Sequence, residues 1–171
     1  QTIKKEIKLS IVIPVYKSQS FVTKTVNEII KEVTKLTSKF EIILVNDGSP
    51  DDSWSVISGL AKSINEVKSI DLVKNYGQHT AVMCGIEKST GDYVITMDDD
   101  LQHPSNEIPK VIKFLKSGYD VVYAIPKIHK HNFFRNFFSK LTKKIISVMM
   151  KNKQAENINS FRFFKSKLIK Q

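Results

Sequence analysis

Residues Tyr93 to Pro104 read YVITMDDDLQHP. The run from Tyr93 to Met97 is short, rich in β-branched residues and free of charge, and it follows the turn formers Thr90-Gly91-Asp92. Such a run reads as a strand buried on both faces in the middle of a parallel sheet. Asp98, Asp99 and Asp100 then come in succession with no basic residue among them. Alternate side chains of an extended chain share a face, so Asp98 and Asp100 are expected to converge while Asp99 points away. Two anions held together repel, and a hard divalent cation with oxygen ligands relieves that repulsion. A solvated acidic turn is the plainer alternative, and the triplet alone does not decide between them.

Working outward, the same rhythm recurs. Lys8 to Val15 and Phe40 to Val45 are predicted buried strands, with Pro14 expected to mark the point where the first strand leaves the sheet. Ile70 to Val73 is a predicted third strand and Tyr119 to Ile125 a fifth. Helices are predicted over Ser20–Leu36, after a cap at Asp52 or Ser53, over Thr80–Lys88, and from about Pro104 to Lys116. Alternation of strand and helix implies right-handed crossovers and a mostly parallel sheet, a Rossmann-like α/β fold. In such sheets ligands bind beyond the carboxyl ends of the strands. Those ends read Pro14-Val15-Tyr16, Asn46-Asp47-Gly48-Ser49, Asn75-Tyr76-Gly77-Gln78 and Asp98-Asp99-Asp100, so polar or conformationally special residues gather on one rim. None forms a G-x-G-x-x-G or G-x-x-x-x-G-K-[ST] loop, which counts against a dinucleotide dehydrogenase and a P-loop nucleotidase.

The 171 residues suit one domain with a real core. Charge is divided unevenly: residues 1–100 hold 12 Lys/Arg against 14 Asp/Glu, and residues 101–171 hold 15 against 3. The second part therefore expects an anionic partner. Cys84 is the single cysteine, which excludes a disulfide framework and fits a reducing compartment.

The segments IVIPVY, VNDGSPDDSW, KNYGQHTAVMCGIEKSTGDYVITMDDDLQHP and GYDVVYA together resemble the family 2 glycosyltransferases of GT-A fold, in the branch that glycosylates polyprenyl phosphates. The resemblance implies a nucleotide-diphosphate sugar donor, with a base pocket from Pro14, Val15, Tyr16 and Asp47. An Asp47 carboxylate accepting an imide N–H favours uridine or thymidine over guanosine, and a UDP-sugar is the favoured donor. Lys74, Asn75, Gly77 and Gln78 match the next donor loop, Asp98 and Asp100 match the DXD motif that holds Mg2+ or Mn2+ on the diphosphate, and Asp98 and Asp99 count among the expected donor-binding residues. Asp98, Asp100 and Gln102 are the catalytic candidates. Gln102 and His103 fall beside the sugar, although His103 serves equally well as the first residue of a helix. Lys17 departs from the family's usual Asn, and Pro126, Asn157 and Ser160 depart from its pattern further on.

Domain 1–126 is thus expected to be the catalytic core, and 127–171 a basic amphipathic helical region. Phe134, Phe137, Phe138, Leu141, Ile145, Val148 and Met149 share a helical face flanked by lysines. That face suits an anionic membrane surface; its alternative occupants are the domain itself or a second subunit in a homo-oligomer. Nucleic acid is not expected, since no recognition motif accompanies the charge. A polyprenyl-phosphate acceptor needs fixed cations near the metal. Arg135 and Arg162 are the only arginines, with Ser139 on the Arg135 face. The expected activity is inverting transfer to polyprenyl phosphate at the cytoplasmic face of a bacterial cell membrane. Glu107, Asp120 and Glu156 are the only carboxylates after Asp100; Glu107 in a helix and Asp120 opening a strand are not obvious bases, and that scarcity disfavours a saccharide hydroxyl as acceptor. A polysaccharide-building transferase and a non-catalytic nucleotide- or lipid-binding module are the competing readings. The longest late apolar stretch is too short to span a bilayer, so the segment is expected to be soluble, truncated at its C-terminus from a longer protein.

Overall fold

The computed structural model describes residues 7–99, 107–123 and 162–168. Four parallel strands come first: β1 (Leu9–Val15), β2 (Phe40–Asn46), β3 (Val67–Asp71) and β4 (Tyr93–Thr96). Helices α1 (Val22–Val33), α2 (Ser53–Ser63) and α3 (Gln78–Lys88) connect them, and α4 (Ile108–Lys116) precedes β5 (Val121–Tyr123). A sixth strand, β6 (Arg162–Lys165), completes a sheet of order β3-β2-β1-β4-β6-β5. Alternation along β1 divides the core. Leu9, Ile11, Ile13 and Val15 meet α1, α2 and α4, whereas Val12 packs with Ala81 and Ile86 of α3 on the other face. Gly85 lets α3 press onto the sheet, because a Cβ there would collide with Cγ1 of Val12.

Three sequence expectations need correction. The third strand starts at Val67 rather than Ile70, and Val73, placed inside it, is 97% exposed. As an outer strand β3 is only partly buried, so its own pattern is weak and the Leu72-Val73 pair beyond it is misleading. Pro14 does not end β1, whose register with β2 runs through Pro14↔Val45 to Val15↔Asn46. Its missing N–H costs nothing because β4 accompanies β1 only as far as Val12↔Thr96. Finally, β6 was not anticipated. It pairs antiparallel with both β4 and β5, so β4 and β5 are not neighbours.

The polar end of the sheet opposite the strand exits is locked by Glu41. Its side chain, 6% exposed, accepts from Ser10 Oγ (2.6 Å), Thr90 N (2.6 Å), Thr90 Oγ1 (2.8 Å) and Lys68 Nζ (2.6 Å). Burial alone would raise its pKa, but the bonds from Lys68, Ser10 and Thr90 outweigh it and hold the value down at about 2. One carboxylate thereby ties together β1, β2, β3 and the turn before β4.

Candidate active site

Strand order reverses direction of growth at β1, with β2 on one side and β4 on the other. That is where an open α/β sheet forms a crevice. Because β1 runs past the end of its pairing with β4, the two separate there. A cleft of about 360 Å³ lies at this point, lined by Pro14, Tyr16, Asp47, Asn75, Gly77, Gln78, Asp98 and Asp99. The volume is that of a small-ligand site.

Asp47 follows β2 and is only 3% exposed. One carboxylate oxygen accepts the Tyr76 N–H at 2.8 Å, and the structure gives the other no partner among the described residues. Gly48 behind it has φ +59°, and a Cβ there would strike the backbone of Lys74 and Asn75. Glycine therefore lets the β2 and β3 exit loops touch, which delivers Asp47 and Asn75 to one wall. Tyr16, 44% exposed, stands at the mouth with the Lys17 ammonium 5.4 Å from its ring centroid. Lys17 holds φ +55°, a left-handed conformation that asparagine and glycine adopt more readily.

On the opposite wall, Asp98 accepts from Gln78 Nε2 at 2.6 Å. Asp99 does not point away from the cleft as alternation suggested. Both carboxylates line it, but Asp99 is turned toward the α1 side, where Ser18 Oγ donates to its Oδ2 and Thr25 Oγ1 donates to its carbonyl at 2.7 Å. The chain has left β4 by then, so strict strand alternation no longer applies. Ser18 and Thr25 escaped the sequence reading. The one available signal was a serine two residues beyond Tyr16 in the loop after β1.

Two expected donor residues stand apart from the cleft lining. Val15 is fully buried with its side chain in the α1–α2–α4 core, and only its carbonyl takes part, accepting from Asp47 N at 2.9 Å. Lys74 is exposed, with its ammonium 5.2 Å from the Tyr76 ring centroid. The N-terminus of α2 is served by neither Asp52 nor Ser53 side chains. Instead Asp51 accepts from Ser53 N at 3.2 Å. Arg162 opens β6 opposite Thr96, which brings it to the same rim as Asp98. Asp100, Gln102, His103, Arg135 and Ser139, and the expected boundary at 126, lie outside the described residues.

Asp98, the member of the DXD pair among the described residues, offers hard carboxylate oxygens of the kind Mg2+ and Mn2+ accept. Among the described residues no group of three or more His, Cys, Asp or Glu is placed to hold a metal ion. A cation here would complete its shell with substrate phosphate and water, which is how Mg2+ is commonly bound.

The comparisons agree with this architecture. Over 147 residues the chain is 39% identical to the undecaprenyl-phosphate 4-deoxy-4-formamido-L-arabinose transferase of Proteus mirabilis, covering 85% of this chain and 45% of that relative. The chain thus spans less than half the length of that relative. A mannosyltransferase of Pyrobaculum calidifontis, solved with GDP-Man and Mn2+, superposes with a TM-score of 0.69 at 17% identity, covering 97% of this chain and 46% of that one. Glucosyl-3-phosphoglycerate synthase of Mycobacterium tuberculosis, solved with Mn2+, UDP and phosphoglyceric acid, gives 0.68 at 16%, covering 95% of this chain and 57% of that one. The family model described as "Glycosyl transferase family 2" matches residues 10–171. With its strand exits gathered on one cleft and that match spanning nearly its whole length, the chain belongs to the family 2 glycosyltransferases and has their GT-A fold.

Proposed function

We propose that this chain carries the donor site of a glycosyltransferase that moves a sugar from a nucleotide diphosphate, UDP preferred, to polyprenyl phosphate with inversion. The observation that carries it is the cleft with Asp47 on one wall and Asp98, held by Gln78, on the other. The unpartnered oxygen of Asp47 suits the imide N–H of a uracil ring, with Tyr16 beside it for stacking. Gly77 and Gln78 also line the cleft and lead from Asn75 beside Asp47 to Asp98, along which ribose and phosphates would lie. Asp98, steadied by Gln78, and Asp100 would hold Mg2+ or Mn2+ against the diphosphate. Bound there, a divalent cation would supply neutralising charge for the departing nucleotide diphosphate.

Two features support a phosphate acceptor over a saccharide hydroxyl. A phosphate monoester is already anionic near neutral pH and needs no general base. Glu107 and Asp120, the described carboxylates after the triplet, are both engaged by lysines: Glu107 with Lys110 and Asp120 with Lys165, each at 2.7 Å. We assign to Arg162, opposite Thr96 at the strand exits, the task of offsetting the acidic residues where an anionic acceptor would approach, a reading its position on the rim supports. The names of the curated relatives point the same way. The acceptor lipid implies work at the cytoplasmic membrane face, and the basic stretch 129–150 is the segment we assign to an anionic surface. No helix among the described residues is long and apolar enough to cross a membrane.

The test is transfer of labelled sugar from UDP-sugars to undecaprenyl phosphate with Mn2+, by the parent and by Arg162→Lys. The parent should transfer, and Arg162→Lys should bind UDP normally while transferring about tenfold less, the loss of one bidentate phosphate contact. A parent that binds no uridine nucleotide would refute the proposal. Transfer to a saccharide but not to the lipid phosphate would replace the acceptor and leave the donor site standing.

A further inference from the structure

Asp99 is the member of the acidic triplet that the metal motif does not need, yet side chains from outside its own strand grip it on two atoms. Its Oδ2 accepts the Ser18 hydroxyl and its carbonyl accepts Thr25 Oγ1 at 2.7 Å. Ser18 is 4% exposed and Thr25 is fully buried, so water competes poorly for either bond. The Ser18 hydroxyl has one proton and two acceptors in reach, Asp99 and the Tyr16 carbonyl at 3.1 Å, and the anion is the stronger. Ser18 is itself fixed, because its N–H donates to Ser53 Oγ of α2 at 2.9 Å. A continuous path of bonds therefore runs from the exit of β4 through the β1 loop to the start of α2, with α1 joined through Thr25. The neighbouring Asp98 is held from the other side by Gln78 of α3.

We propose that Asp99 acts as a latch rather than as a ligand of metal or donor, and that Ser18 and Thr25 are positioning residues for the donor site. By pinning the backbone at Asp99 they fix the direction in which Asp98 leaves β4. They also join that turn to the loop carrying Tyr16, so that the base end and the diphosphate end of the cleft keep one spacing. This rests on the donor site proposed above.

The discriminating measurement is UDP affinity by calorimetry with Mn2+ and with a chelator, whose ratio reports coupling between cation and nucleotide. Ser18→Ala should lower that ratio about tenfold, the value of one charge-assisted hydrogen bond, with chelator-state affinity changed by less than about twofold. Ser18→Thr, which keeps the hydroxyl, should restore most of it. Asp99→Asn keeps an acceptor oxygen for Ser18 and should retain the ratio within about threefold, whereas Asp98→Asn should abolish it. An Asp99→Asn protein that loses the ratio as Asp98→Asn does would make Asp99 a ligand and overturn the latch. A full ratio in both Ser18→Ala and Thr25→Val would overturn it equally, and Thr25→Val, nearly isosteric, serves if Ser18→Ala fails to fold. A parent with no Mn2+ dependence sinks the donor-metal reading instead. In that event hydrogen exchange decides: the peptide covering 93–99 must exchange faster in Ser18→Ala, and unchanged exchange overturns the latch by itself.

Discussion

Replacing Glu41 by glutamine isolates the value of one buried negative charge. In the parent the carboxylate takes four hydrogen bonds, one of them from the Lys68 ammonium. A glutamine can offer one carbonyl oxygen, and its NH2 must then face a donor. The carboxyl is held at about 2 instead of 4.5, a difference that corresponds to at most about 3 kcal/mol of stability at neutral pH. Lys68 is half exposed, and solvent screening of its share brings the figure to about 2 kcal/mol. For a chain of this size that is a fall in Tm of roughly 4–8 °C. The pH dependence has a definite sign. A depressed carboxyl contributes fully above its unfolded value of 4.5 and loses its contribution as pH falls toward 2. Melting curves of parent and Glu41→Gln should therefore stay apart from pH 7 down to about 5 and converge between 4.5 and 2. UDP affinity should not change, because Glu41 lies at the end of the sheet away from the cleft. A gap in Tm that persists unchanged at pH 3, or no gap at pH 7, would refute the assigned charge network.

Gly85→Ala should destabilise by about 1–2 kcal/mol in chemical denaturation, since overpacking against Val12 outweighs the helix preference of alanine. Lys17→Gly should raise stability by about 0.5–1 kcal/mol by relieving a left-handed lysine; a lower denaturation midpoint would show that the Tyr16 contact matters more. Asp47→Ala should weaken UDP binding by roughly 1.5–3 kcal/mol in calorimetry, the value of a hydrogen bond to a charged group. Equal affinity would confine Asp47 to holding the Tyr76 N–H.

Legibility in the sequence tracked burial and locality. β1, β2 and β4 announce themselves because a strand covered on both faces needs unbroken apolar residues, and SIVIPV, EIILV and YVIT supply them. β3 has one buried residue, Val67, and the other four are partly or fully exposed, so VKSID gives little signal. β6 carries no local mark of its destination. Phe163 is fully buried because β4 and β5 flank it and it joins the core cluster with α4, all from some forty or more residues up the chain. The cleft was readable at the level of strand ends, since parallel topology sends them all to one rim. Ser18 and Thr25 were not, because their bonds to Asp99 span 81 and 74 residues and depend on side-chain packing that no periodicity encodes.

The late arrival of β6 also sets an order of assembly. Strands β1 to β4 and the donor-side loops are complete within the first 99 residues and can close on one another while synthesis continues. β5 cannot follow, since its sheet pairing is to β6 and the strand between it and β4 is made some forty residues later. Until then β4 lacks its β6 partner, and an unpaired strand edge is the kind that recruits other chains, while joining strands so far apart in sequence carries an entropic cost. The sheet position of β6 thus ties the pairing of both β4 and β5 to residues made last, from Arg162 onward.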